Sequence, residues 1–161
     1  MADSGPQFDL RELLTTTVVG ELTLKQVPIL TPDATAAEAA AEMRAVSHGS
    51  ALICESGQIV GIITERDLLG LLVDDSEVES PLSVVMTTAP QTLTQSALLL
   101  DAVRLMDQGG YRRLPVVDDD NHPFGIVDVK TVVNFLVEQM ATTVYNQAES
   151  SLLSVRQREG A

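Results

Sequence analysis

The chain has no tryptophan, and only two tyrosines and three phenylalanines among its 161 residues. An interior of stacked aromatics is excluded, so the core must be aliphatic. The single cysteine, Cys54, rules out an intrachain disulfide and any multi-cysteine metal site. It stands inside the apolar run Ala51-Leu52-Ile53-Cys54, the setting of a buried, inert thiol. No apolar run reaches the roughly eighteen residues that a membrane-crossing helix needs. The N-terminus has no basic-then-apolar leader, and the expectation is a cytoplasmic protein without membrane contact. Basic residues are scarce: 10 against 23 acidic ones, for a formal net charge of −13. That field opposes nucleic acid and anionic membranes over any broad face, while a small anion can still bind where a few arginines gather.

What is present is a 45% apolar share, ample for a packed core, and a repeated pattern. When Ile29–Leu69 is slid onto the second half, Leu30-Thr31 falls on Leu93-Thr94, Ala39 on Ala102 and Met43 on Met106. Ala51-Leu52-Ile53-Cys54 falls on Leu114-Pro115-Val116-Val117. After a one-residue insertion, Gly61-Ile62-Ile63 falls on Gly125-Ile126-Val127.

Each copy has the same physical plan. Thr31-Pro32-Asp33 is expected to open a helix that carries Ala36, Ala39, Ala40 and Met43 and stops near His48-Gly49. A buried strand over Ala51–Cys54, a turn at Ser56-Gly57 and a strand over Gln58–Thr64 make a hairpin. Thr64 then begins a second helix through Asp67 and Leu72. In the second copy a helix runs from about Ser96 to Gln108 and ends at Gly109-Gly110. The strands Arg113–Val117 and Phe124–Asp128 follow, and a helix starts at Lys130. That helix runs past Tyr145 with Val133, Leu136, Met140 and Val144 along one face, and the tail from Ser150 is expected to fray. A short helix is expected near Asp9–Leu14.

The fold class is α+β: two β-α-β-β-α units, each too small to bury its apolar face alone, packed sheet against sheet. The boundaries read as an extension over 1–20, a first repeat over 21–74, an acidic linker over 75–83, a second repeat over 84–138, and a C-terminal helix and tail over 139–161.

Gly61-Ile62-Ile63-Thr64-Glu65-Arg66-Asp67 resembles the signature of the CBS (cystathionine β-synthase) domain: glycine, two apolar residues, Thr or Ser, two variable residues, Asp. Tyr111-Arg112-Arg113-Leu114-Pro115-Val116-Val117-Asp118 resembles that family's central strand, and Val85-Met86-Thr87-Thr88 its usual lead-in. The resemblance spans about Leu24 to Val137. It implies a Bateman-type module: two repeats about a pseudo-twofold axis, with two clefts between them, commonly assembled as a homodimer. It also implies a regulatory, energy-sensing role in which a cleft holds AMP, ADP, ATP or a related adenosyl ligand. No enzymatic activity and no catalytic cofactor are expected, and the regulated protein is not named by the sequence. The alternative is a protein-interaction scaffold whose clefts stay empty.

By the resemblance, Asp67 accepts the ribose hydroxyls and Thr64 meets the phosphate at the start of the helix, with Arg66 beside them. The residues alone favour a helix cap made by Thr64 and Asp67, and it is the resemblance that turns the reading toward a ligand site. The resemblance further implies that the other repeat lines this cleft, through Thr88, Pro90, Thr92, Tyr111, Arg112 and Arg113. Arg112 and Arg113 alternate across a strand, so one is expected toward phosphate and the other toward solvent or an acidic neighbour. The second cleft has Asp128 where the signature has Thr or Ser, and Thr131 where it has Asp. Its cross-repeat strand offers Gly49-Ser50 in place of the arginines, so one occupied site and one vestigial cleft are expected. His48 and His122 lack the partners of a metal site, and Asp118-Asp119-Asp120-Asn121 lacks the Gly and Glu of a calcium loop and reads as a hairpin turn. The C-terminal apolar stripe suits dimer or core packing, since its polar face is not basic enough for a membrane surface.

Overall fold

Asp9 starts the first described helix: its side chain accepts the Glu12 amide at 3.1 Å and caps α1, Leu10–Thr16. The structure, a computed structural model, describes residues 7–73 and 78–159, so part of the expected acidic linker, 74–77, lies outside the described residues. After a 3-10 turn at Val19–Glu21, the first repeat runs β1 (Ile29–Leu30), α2 (Ala36–Ala45), β2 (Ser50–Glu55), β3 (Gln58–Thr64) and α3 (Glu65–Val73). The second runs α4 (Leu82–Val85), β4 (Thr87–Thr88), β5 (Leu93–Thr94), α5 (Leu99–Gly109), β6 (Arg113–Val117), β7 (Pro123–Asp128) and α6 (Val129–Glu159). Ser56 and Gly57 both take positive φ and turn β2 antiparallel onto β3. Asp118 makes the β6–β7 turn, its Oδ1 accepting the Asp120 and His122 amides at 2.9 and 2.8 Å.

Two sheets result, ordered β1-β2-β3-β4 and β5-β6-β7. β4 belongs by sequence to the second half, yet it pairs with β3 of the first, Thr88 opposite Gly61 and Thr87 opposite Ile62. Lys25 makes the reverse crossing, exchanging two 2.9 Å backbone hydrogen bonds with Ile126 on β7. A glycine stands at each crossing because the chains approach too closely for a side chain. A Cβ on Gly125 would lie 2.8 Å from the Lys25 carbonyl oxygen, and one on Gly61 would strike the Met86 sulfur.

The lead-in turns are exchanged in the same way. Val19 N–H donates to the Ala97 carbonyl at 2.8 Å, and Leu82 N–H to the Ala34 carbonyl at 2.8 Å. Val19, fully buried, packs with Leu99, Leu114 and Val127 of the second repeat. Leu82, also fully buried, packs with Ala51, Ile53 and Ile63 of the first. A third cluster, with Leu52, Cys54, Ile59 and Ile62 from one sheet and Val117 and Ile126 from the other, joins the two sheets face to face. Burial there pushes the Cys54 thiol above its ordinary pKa.

Several boundaries differ from the sequence expectation, and α2 ends at Ala45 rather than near His48-Gly49. α2 begins at Ala36 because Thr35 and Glu38 form a capping box, with Thr35 N–H donating to Glu38 Oε2 at 2.8 Å; Thr31-Pro32-Asp33 precedes it as a turn. α5 begins at Leu99 rather than Ser96, since its first amide donates to the Thr17 carbonyl at 2.8 Å, as Ala36 donates to Ser80 at 3.1 Å. In both repeats a segment from the other half therefore sets where the helix starts. α6 does not fray at Ser150 but continues to Glu159, because no glycine or proline interrupts it before Gly160.

Candidate functional site

The β3–α3 junction supplies one wall of the site. Thr64 is the last residue of β3, and it donates its backbone N–H at 2.8 Å and its hydroxyl at 3.0 Å to Oδ2 of Asp67. Oδ1 of Asp67 has no hydrogen-bond partner among the described residues. The Glu65 amide donates to the Gly49 carbonyl at 3.1 Å, which ties the start of α3 to the end of the loop after α2. Arg66 is exposed.

The second repeat supplies the other wall. After β4 the chain crosses from one sheet to the other, turning at Ala89, whose φ of 46° is unusual for a residue with a side chain. The Ala89 amide donates to the Val60 carbonyl at 3.2 Å, which holds the crossing against β3. Gly110 ends α5 in the left-handed conformation, φ 68°, and delivers Tyr111, Arg112 and Arg113 into the start of β6. The Tyr111 ring lies over Gly109, in space that a Cβ there would occupy. Arg112 is exposed, and Arg113 is half-buried with its guanidinium over Gly49, beside the Glu65 carboxylate.

These walls enclose a cleft of about 1020 Å³. It is lined by Thr64, Arg66 and Asp67 on one side and by Thr88, Pro90, Tyr111, Arg112 and Arg113 on the other. Thr92 is not part of the lining: the chain leaves the cleft after Gln91, and Thr92 directly precedes β5 in the second sheet. Glu65, Gln91, Asp128 and Lys130 line the cleft as well, although sequence reasoning had set Asp128 in a separate second cleft. The signal for Lys130 was present, since the repeat alignment puts it opposite Arg66.

Asp128 and Thr131 form the counterpart of the Thr64–Asp67 pair with the residues exchanged. Thr131 donates its N–H at 2.7 Å and its hydroxyl at 2.8 Å to Asp128 Oδ1, so here the carboxylate before the helix accepts an amide of its first turn, the reverse of the Thr64–Asp67 arrangement. Asp128 Oδ2 lies 3.8 Å from Nε2 of His48 in the first repeat. The Ser50 amide donates to His48 Nδ1 at 3.2 Å, which leaves the proton of a neutral ring on Nε2, facing Asp128. Burial opposes the charge on Asp128, but the two Thr131 hydrogen bonds, with Lys25 and His48 nearby, hold its carboxyl below the ordinary value.

The CBS domain family model matches residues 19–74 and again 80–138. The CBS domain-containing protein YhcV of Bacillus subtilis is 32% identical over 130 residues, covering 80% of this chain and 87% of the relative. Protein MK0525 of Methanopyrus kandleri is 37% identical over 120 residues, 71% of this chain but only 60% of the longer relative. Among solved structures, CBSX2 of Arabidopsis thaliana in complex with AMP superposes with a TM-score of 0.67 at 25% identity, covering 75% of this chain and 96% of that one. The paired signature, the exchanged lead-in segments and these matches agree, and the chain belongs to the CBS domain family as a tandem pair of repeats.

Proposed function

We propose that this CBS pair is a regulatory module that binds an adenine nucleotide (AMP, ADP, ATP or a related adenosyl ligand) in the Asp67 cleft. The observation that carries the reading is convergence. Thr64, Arg66 and Asp67 from one repeat face Thr88, Pro90, Tyr111, Arg112 and Arg113 from the other across one open cleft. The free Oδ1 of Asp67 suits the ribose hydroxyls, and the Thr64 end of α3 suits a phosphate. The AMP complex of CBSX2 supports the choice of ligand class. Ligand would change the packing of the two repeats, and so regulate a partner, only if it binds two arrangements with different affinity.

The exposed stripe Val133, Val137, Met140 and Val144 on α6 supports a homodimer as the working form. No helix of the described residues is long and apolar enough to cross a membrane. A cytoplasmic, energy-sensing protein without catalytic activity is the setting in which this reading makes sense.

The test is thermal unfolding of the protein with adenine and guanine nucleotides, repeated on Asp67→Ala. A ligand that binds only the folded state stabilises it by about 2.7 kcal/mol at a hundred times its dissociation constant. A midpoint shift with an adenine nucleotide, lost in the variant, is expected; no shift with any of them sinks the reading. The competing reading is an interaction scaffold with empty clefts. It draws on the Thr64–Asp67 bonds, which already complete a helix cap without any ligand. On that reading Asp67→Ala leaves every partner interaction unchanged.

A further inference from the structure

The two repeats bring their helix starts to the same cleft. Asp128 stands where Thr64 stands in the first repeat and Lys130 where Arg66 stands, and all four line one continuous space. The residue that breaks the second signature is therefore not shut away in a cleft of its own. It belongs to the wall of the intact one.

Asp128 is a fixed negative charge at that wall. Its side chain is 16% exposed and is held on Oδ1 by both bonds from Thr131. Its lowered carboxyl pKa keeps it ionised at neutral pH. The basic groups that act on it are Lys25 and His48 of the first repeat, His48 Nε2 at 3.8 Å, and neither makes a hydrogen bond to it. Of the cations lining the cleft, Arg113 lies beside Glu65 over Gly49, while Arg66, Arg112 and Lys130 are exposed and screened by water. A half-buried carboxylate held by hydrogen bonds thus shares this wall with exposed, solvated cations, and water screens the carboxylate less than it screens them.

We propose that Asp128 sets the charge that the cleft accepts, admitting an adenosine with a monophosphate or with an uncharged or cationic 5′ group and disfavouring the triphosphate. The proposal rests on the adenine-nucleotide reading above and deepens it. The physical cause is like-charge repulsion in a partly desolvated site, and each further phosphate adds to it.

The test is calorimetric titration of the full chain with AMP and with ATP at fixed ionic strength, for the natural protein, Asp128→Asn, Asp128→Thr and Asp67→Ala. Asparagine keeps the oxygen that caps α6, and threonine restores the residue of the first repeat, so both variants can preserve the helix start. Urea unfolding checks that they do. The expected result is tighter binding of AMP than of ATP by the natural chain, and a rise in the ATP-to-AMP affinity ratio on the order of tenfold in both Asp128 variants. An unchanged ratio in both folded variants, or a natural preference for ATP, overturns the proposal while leaving the nucleotide site intact. Nucleotide binding that survives Asp67→Ala, or no binding at all, overturns the underlying reading instead.

Discussion

Thr64 gives both its amide and its hydroxyl hydrogen to a single oxygen of Asp67, at 2.8 and 3.0 Å, and so leaves the second carboxylate oxygen turned free. One half of the carboxylate starts a helix; the other half is available to a ligand.

That division can be separated by substitution. Asp67→Asn retains an oxygen for the Thr64 bonds but loses the charge that strengthens bonds from ribose hydroxyls. It should cost under about 1 kcal/mol of stability while weakening nucleotide binding on the order of tenfold. Urea denaturation and calorimetry on the same preparation read the two effects. Equal, small losses in both would assign Asp67 to the cap alone.

Leu82 is fully buried in the core of the first repeat although it belongs by sequence to the second. Leu82→Ala should destabilise the protein by about 3 kcal/mol, within the usual range for such a truncation. Because Val19 makes the mirror-image exchange, the loss should reach both repeats. Amides of β2–β3 and of β6–β7 are expected to lose hydrogen-exchange protection together. Loss confined to the first repeat would show that the halves open independently.

Gly125 has a φ of 152° and lies against the chain at Lys25. Gly125→Ala sets a Cβ 2.8 Å from the Lys25 carbonyl oxygen, and a backbone atom cannot swing aside as a side chain can. The expected cost is about 2 kcal/mol or more, read as a fall in the urea midpoint. A neutral effect would mean that the lead-in segment shifts without penalty.

Acid should weaken the fold in a particular way. The carboxyls of Asp33, Asp118 and Asp128 are all held below their ordinary value. A depressed folded-state pKa contributes stability that is present above the unfolded pKa, about 3.9 for Asp, and is lost as pH falls through the folded value. For Asp128 burial works against this, and the Thr131 bonds together with Lys25 and His48 outweigh it. Asp128→Asn should therefore flatten the decline of the unfolding midpoint below about pH 4. An unchanged slope would show that the Thr131 bonds do not favour the ionised form.

The hairpins were legible in the sequence because their causes are local. Ser56-Gly57 and the Asp118 turn bend the chain through their own φ preferences and side-chain bonds, and short aliphatic runs flank them. The helix starts were not, because their causes are distant. Ala36 and Leu99 are set by carbonyls of Ser80 and Thr17, which come from the other half of the chain. Likewise the two arginines could be seen to alternate, but only packing shows that Arg113 turns half-buried over Gly49, where Glu65 also lies, and leaves Arg112 exposed.

The sequence by itself determined the repeat, the aliphatic core, the order of elements and the residue types at each helix start, since these follow from spacing, composition and local bonding. Tertiary structure alone decided which segments cross between halves and which residues share one space. It put Asp128 and Lys130 in the wall of the Asp67 cleft and took Thr92 out of it. The reason is that a pseudo-twofold packing of two sheets joins residues far apart in the chain, and no local preference encodes that meeting.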